Sequence, residues 1–131
     1  MEHFNLADEF VVLSPDKVAR AVVNSPTVYQ DLERDFGDFK GHELIALHEF
    51  QEDWPSWEVH PNGDETVVLL SGSATLIVKL EDTDHSIGLN KPGDTVIVPR
   101  GAWHTARIAE PCRMLFITPG EGTQNNYDSA G

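Results

Sequence analysis

The amino-acid sequence predicts an all-β domain, an antiparallel sandwich or barrel, with short helices confined to its N-terminal segment. Three observations lead there. From His42 onward, runs rich in Val, Ile, Leu and Thr recur between turn signals: HELIALHEF, SWEVH, ETVVLL, SATLIVKL, HSIGL, DTVIVP, AWHTARI and CRMLFIT. The breaks fall at 61–64, 71–73, 81–84, 90–93, 99–101, 109–111 and 119–120. Short strands at about 8–12-residue spacing are the rhythm of a sandwich or barrel. No stretch after position 42 carries an apolar period of 3.6 residues long enough to make a helix.

Before that point the signals differ. Residues 9–13, EFVVL, predict a short strand. Ser14-Pro15-Asp16 reads as a helix start, with a capping hydroxyl, proline at the first helical position and an acid in the first turn. That helix is expected to run to about Val23. Ser25-Pro26-Thr27 repeats the signal and opens a second helix, VYQDLERDF, stopped by Gly37. Val28, Leu32 and Phe36 share one face of it and are expected in the core. The resulting organisation is an N-terminal helical or extended segment (1–39) packed on the barrel, a barrel (40–119), and a polar Gly-rich tail (120–131) expected to fray or pack loosely.

Composition narrows the function. The 131 residues suit one domain. Twenty-two acidic against nine basic residues give a net charge of −13. Such a surface repels phosphate backbones and anionic lipid, so no nucleic-acid or membrane partner is expected. The single cysteine, Cys112, rules out an internal disulfide and a thiolate zinc site; it is expected as a small buried apolar residue. The N-terminus lacks the basic and apolar regions of a secretion signal, and a reducing cytoplasm is the expected compartment.

The chemistry concentrates in WEVHPNGDETVVLLSG (57–72) and PGDTVIVPRGAWH (92–104). Alternate residues of a strand share a face, so Glu58 and His60 point the same way. Pro61-Asn62-Gly63-Asp64 is a turn signal, and a four-residue loop would set His60 opposite Glu65 on the returning strand. Parity makes Glu65 the inward carboxylate and leaves Asp64 to close the turn with its own side chain. His104 is the fourth candidate. Buried carboxylates are costly unless a cation pairs with them, which argues for a bound ion. His48, on the preceding run, could line the same pocket. Trp54 and Trp57 are expected as core or interface aromatics, and Arg100 and Arg107 as solvated surface.

With these residues in hand, the chain resembles the cupin superfamily, specifically small single-domain microbial cupins. The family's first motif, Gly-x5-His-x-His-x(3,4)-Glu-x6-Gly, reads here Glu58-x-His60-x4-Glu65-x6-Gly72. In the second, Gly-x5-Pro-x-Gly-x2-His-x3-Asn, the matching positions are Gly93, Pro99, Gly101 and His104. The motifs span about 52–108, and flanking strands extend the match to roughly 40–119. Glu52 and Ile108 depart from the pattern without chemical consequence. Glu58 stands where the family has its first metal histidine.

The resemblance implies a double-stranded β-helix, the jelly-roll cupin barrel. It also implies a divalent metal held by His60, Glu65 and His104 together with position 58. Two carboxylates make the set oxygen-rich, which favours Fe, Mn or Zn, with Ni as a further candidate. Alternatively Glu58 stands off the metal as a catalytic general base beside a 2-His-1-carboxylate set. The resemblance further implies a homodimer paired through sheet edges. It leaves the reaction open: a metal-dependent dioxygenase, or an isomerase or epimerase, acting on a small molecule, or alternatively a non-catalytic binding or sensing module.

Overall fold

A computed structural model describes residues 1–127. Two long strands form its frame, β5 (Glu65–Leu80) and β8 (His104–Thr118), paired antiparallel along most of their length. The remaining strands, in chain order, are β1 (Glu9–Leu13), β2 (Ala19–Val23), β3 (Glu43–Phe50), β4 (Trp57–Val59), β6 (Thr83–Leu89), β7 (Thr95–Val98) and β9 (Gln124–Asn126). One path of the sheet runs β2-β1-β3-β8-β4-β9, while β5 carries β6, β7 and β8. Among the described residues every strand pairing is antiparallel, and the sheet curls into the all-β jelly-roll barrel the sequence predicts.

The breaks expected at 71–73 and 109–111 do not end strands. They face each other across the β5–β8 ladder, where Ser71 pairs with Arg113 and Ser73 with Glu110 through register shifts. A β-bulge lets a strand bend and continue, so two turn signals become one barrel corner. Gly72 makes that corner possible. Its φ is +79°, and a Cβ there would sit 2.1 Å from the Pro111 carbonyl oxygen. Only glycine admits both the left-handed backbone and the close approach.

The first expected helix is a correction. Residues 19–23 form β2, which pairs with β1 from Glu9↔Val23 to Leu13↔Ala19. Ser14-Pro15-Asp16 closes the hairpin between them. The Ser14 amide donates to the Val18 carbonyl at 2.9 Å, and its hydroxyl donates to Asp16. The side-chain chemistry that caps a helix also closes a turn, and an adjacent strand partner decided between them. The second helix stands where predicted: α1, Val28–Asp35. It is the one α-helix among the described residues, where the sequence predicts two.

Two apolar clusters result. The barrel core holds Val67, Leu69, Leu76, Val98, Ala106 and Met114, with Cys112 buried among them. A second cluster joins α1 to the N-terminal strands through Val28 and Leu32 against Phe10, Val12, Phe39, Leu44 and Ala46. Phe36 packs at its margin. Helix α1 therefore roofs the open side of the barrel. The expectation of a loosely packed tail is corrected for part of its length: β9 pairs with β4, Glu58 against Asn125. Residues 128–131 of that tail lie outside the described residues.

Candidate metal centre

Strand β4 delivers Glu58 directly opposite His104, the first residue of β8. His60 lies just past the end of β4, anchored where the Gly101 amide donates to its carbonyl at 3.0 Å. Glu65 opens β5 and Thr118 ends β8. The expected hairpin that would oppose His60 to Glu65 does not form: among the described residues β4 pairs with β8 and β9, not β5. The two side chains meet all the same, across the barrel interior. Asp64 is a related correction, since it accepts from the Arg100 amide at 2.8 Å and so ties the first motif to the 99–101 turn of the second. Arg107 lies at the surface, 3.8 Å from Asp53. Cα-level parity foresaw the inward faces; the route by which the chain joins them is set by tertiary pairing.

His60, Glu65 and His104 are buried, at 5%, 3% and 0% exposure. Glu65 Oε2 lies 3.2 Å from His60 Nε2, and Glu65 Oε1 lies 3.1 Å from His104 Nε2. Despite these distances, His60 Nε2, His104 Nε2 and Glu65 Oε1 form no hydrogen bond. Buried polar atoms are seldom left so. Two donors at right angles, each about 2.1 Å from one ion, sit about 3.0 Å apart, so the spacing suits neighbouring ligands of a metal. Glu58, His60 and His104 also bring one ligand atom each to within 4.8 Å of one another. The residues present therefore fit a divalent ion.

Supporting contacts orient the imidazoles. His104 Nδ1–H donates to the Ala102 carbonyl at 3.1 Å, which leaves Nε2 as the lone-pair nitrogen in the neutral ring. His60 Nδ1 lies 2.8 Å from the Thr123 hydroxyl. The Thr118 hydroxyl donates to Glu65 Oε2 at 2.6 Å. Neither threonine carried a sequence signal: each is a common residue in or beside a strand, found only once the sheet is closed.

Electrostatics separate the two acids. Burial pushes Glu65 up, but the His104 and His60 rings against it outweigh that and hold it down, at about 2. Glu58 is raised, by burial first and then by the charge of Glu65, with the two histidines opposing. Burial alone would lower His104, yet Glu65 pulls it up. One acid is thus firmly ionised and its neighbour is a stronger base than an ordinary carboxylate.

A cavity of about 900 Å³ opens from this centre toward α1. His48 lines it, as the sequence suggested, and its Nε2 lies 2.6 Å from the Tyr29 hydroxyl on α1. Burial lowers the His48 pKa, and burial together with Glu58 and Glu65 raises that of Tyr29. Trp54 also lines the cavity, and its ring centroid is 6.3 Å from that of His104. Trp57 lies elsewhere, with Lys79 over its ring at 5.3 Å.

Fold and centre together define a small barrel of the metal-binding jelly-roll class. The family model for the cupin domain matches residues 47–118, and the chain belongs to that family. Several solved structures share the fold. An oxalate oxidase aligns with a TM-score of 0.54 at 18% identity, over 62% of this chain and 44% of that one. A mutant of the Bacillus subtilis oxalate decarboxylase aligns with a TM-score of 0.55 at 22% identity, over 64% of this chain and 23% of that one. The hydroxypropylphosphonic acid epoxidase from S. wedmorenis, in complex with fosfomycin, aligns with a TM-score of 0.50 at 13% identity, over 58% and 43%. The matched region spans less than half the length of each of these three structures. No curated protein matches the chain. Among the described residues no helix is long and apolar enough to cross a membrane.

Proposed function

We propose that this protein is a metal-dependent enzyme acting on a small organic molecule, with Glu58, His60, Glu65 and His104 around the ion. Oxygenase or isomerase chemistry is the reaction class favoured. The observation that carries the reading is the trio of buried, hydrogen-bond-free atoms, His60 Nε2, His104 Nε2 and Glu65 Oε1, gathered around one carboxylate. Iron, manganese or zinc suits such an oxygen-rich set best. When bound, the ion would supply Lewis acidity toward a chelating oxygen or, as iron, a redox couple.

The chain's own groups have separable tasks. Glu65 offers a fixed negative charge, steadied by the Thr118 hydroxyl. His104 is held in one tautomer by Ala102. Glu58 either completes the ligand set or takes a proton from a substrate held beside the ion. The alternative reading, a non-catalytic binding module, draws on the same large cavity; steady binding of a candidate without turnover, with and without O2, would favour it. Homodimerisation belongs to the same proposal. Strand β2 is the outer strand of its sheet path and exposes Val23, an edge that a second copy could cover.

The variant Glu58→Gln tests the arrangement. Metal content measured by elemental analysis after dialysis should fall at least about tenfold if Glu58 ligates. Retained metal with a changed pH profile of turnover would assign it as the base. Unchanged metal and unchanged chemistry together would remove Glu58 from the site.

A further inference from the structure

The cavity in front of the metal residues is lined asymmetrically. One wall is aromatic: the Phe50, Trp54 and Phe116 rings lie with centroids 5.3–6.0 Å apart. The rim is acidic, with Glu33, Glu49, Glu52 and Asp53 all lining it and all exposed. Among the described residues no lysine or arginine lines the cavity. Arg113 and Arg107 approach Glu49 and Asp53 at 3.5 and 3.8 Å, but such exposed pairs offset little of the field.

The floor adds to this. Two carboxylates, Glu58 and Glu65, against one divalent ion and two neutral imidazoles sum to zero charge. A histidine at position 58 would leave the same site with one positive charge. An anionic ligand therefore finds repulsion at the rim and no net attraction at the floor. At about 900 Å³ the cavity is also near the upper end for drug-sized ligands, far roomier than a two-carbon diacid needs.

We propose that the cavity selects an uncharged or cationic aromatic molecule, seated against Phe50, Trp54 and Phe116, and rejects carboxylates. The inference rests on the metal reading only for the charge balance of the floor; wall and rim stand without it. Aromatic faces hold planar rings and cations alike.

The test uses three probes of one size and different charge, 2-naphthol, 2-naphthylmethylammonium and 2-naphthoate, titrated calorimetrically into the full chain. Each is measured on protein as purified and after chelator treatment, with metal content determined for both. The naphthol and the ammonium should bind at least about tenfold tighter than the naphthoate in chelator-treated protein. Raising the salt should narrow that gap by improving naphthoate binding. The double variant Glu33→Lys with Glu52→Lys, both exposed positions, should also narrow it while leaving naphthol within about twofold. Trp54→Ala removes part of the aromatic wall and should weaken naphthol and the ammonium together. Naphthoate binding as tight as naphthol, a gap indifferent to salt and to the rim variant, or no probe binding to folded protein would overturn the proposal. Protein that carries no metal as purified yet keeps the charge order would sink the metal reading alone; metal-bearing protein that prefers naphthoate would sink this one alone.

Discussion

The barrel floor and the helical roof are built on different principles, and the contrast explains what each can do. The floor is framed by two strands of 16 and 15 residues, locked to one another and bent once at Gly72. It holds His60, Glu65 and His104 buried, with Glu58 half-buried beside them. The roof is an eight-residue helix and a hairpin, fixed by a separate apolar cluster. It reaches the site at the seam, where Tyr29 meets His48 and Leu32 and Glu33 line the cavity. Rigid, long-range pairing serves the centre, where donors must stay within a few tenths of an ångström. Local, side-chain-anchored packing serves the entrance.

Substitutions in the two regions should therefore fail differently. The largest effect is expected at Gly72→Ala, which combines a left-handed backbone with a clash on Pro111. It should cost about 4 kcal/mol or more and take the metal centre down with the fold. Denaturant unfolding checks this, and a loss under about 1 kcal/mol would mean the corner is not what joins the strands. A smaller effect is expected at Leu32→Ala, 4% exposed in the roof cluster. It should cost about 2–5 kcal/mol while metal content, read by elemental analysis, stays unchanged. Loss of metal on emptying the roof would erase the distinction between the two regions.

The same contrast governed what could be read from the chain. His104 comes from the second motif, while strand parity puts Glu58 and His60 on one face and makes Glu65 the inward carboxylate. Parity misplaced the contact between His60 and Glu65, drawn as a hairpin pair, because sheet order is a tertiary property. Turn signals at 71–73 and 109–111 looked like strand ends, since a bulge and a turn use the same residues. The Ser14 signal looked like a helix cap for a similar reason. Tyr29 was legible as part of a helix but not as a neighbour of His48, 19 residues on in the chain. Thr118 and Thr123 act only through residues brought to them by closure of the barrel.

What remains most exposed to test is the claim that the floor holds a cation. Metal stoichiometry should be measured by elemental analysis on protein purified without chelators, beside His104→Ala, with circular dichroism on both. A divalent metal near one equivalent is expected in the parent chain and little in the variant, with the β-rich spectrum kept by both. Equal metal content in the two folded proteins would contradict it.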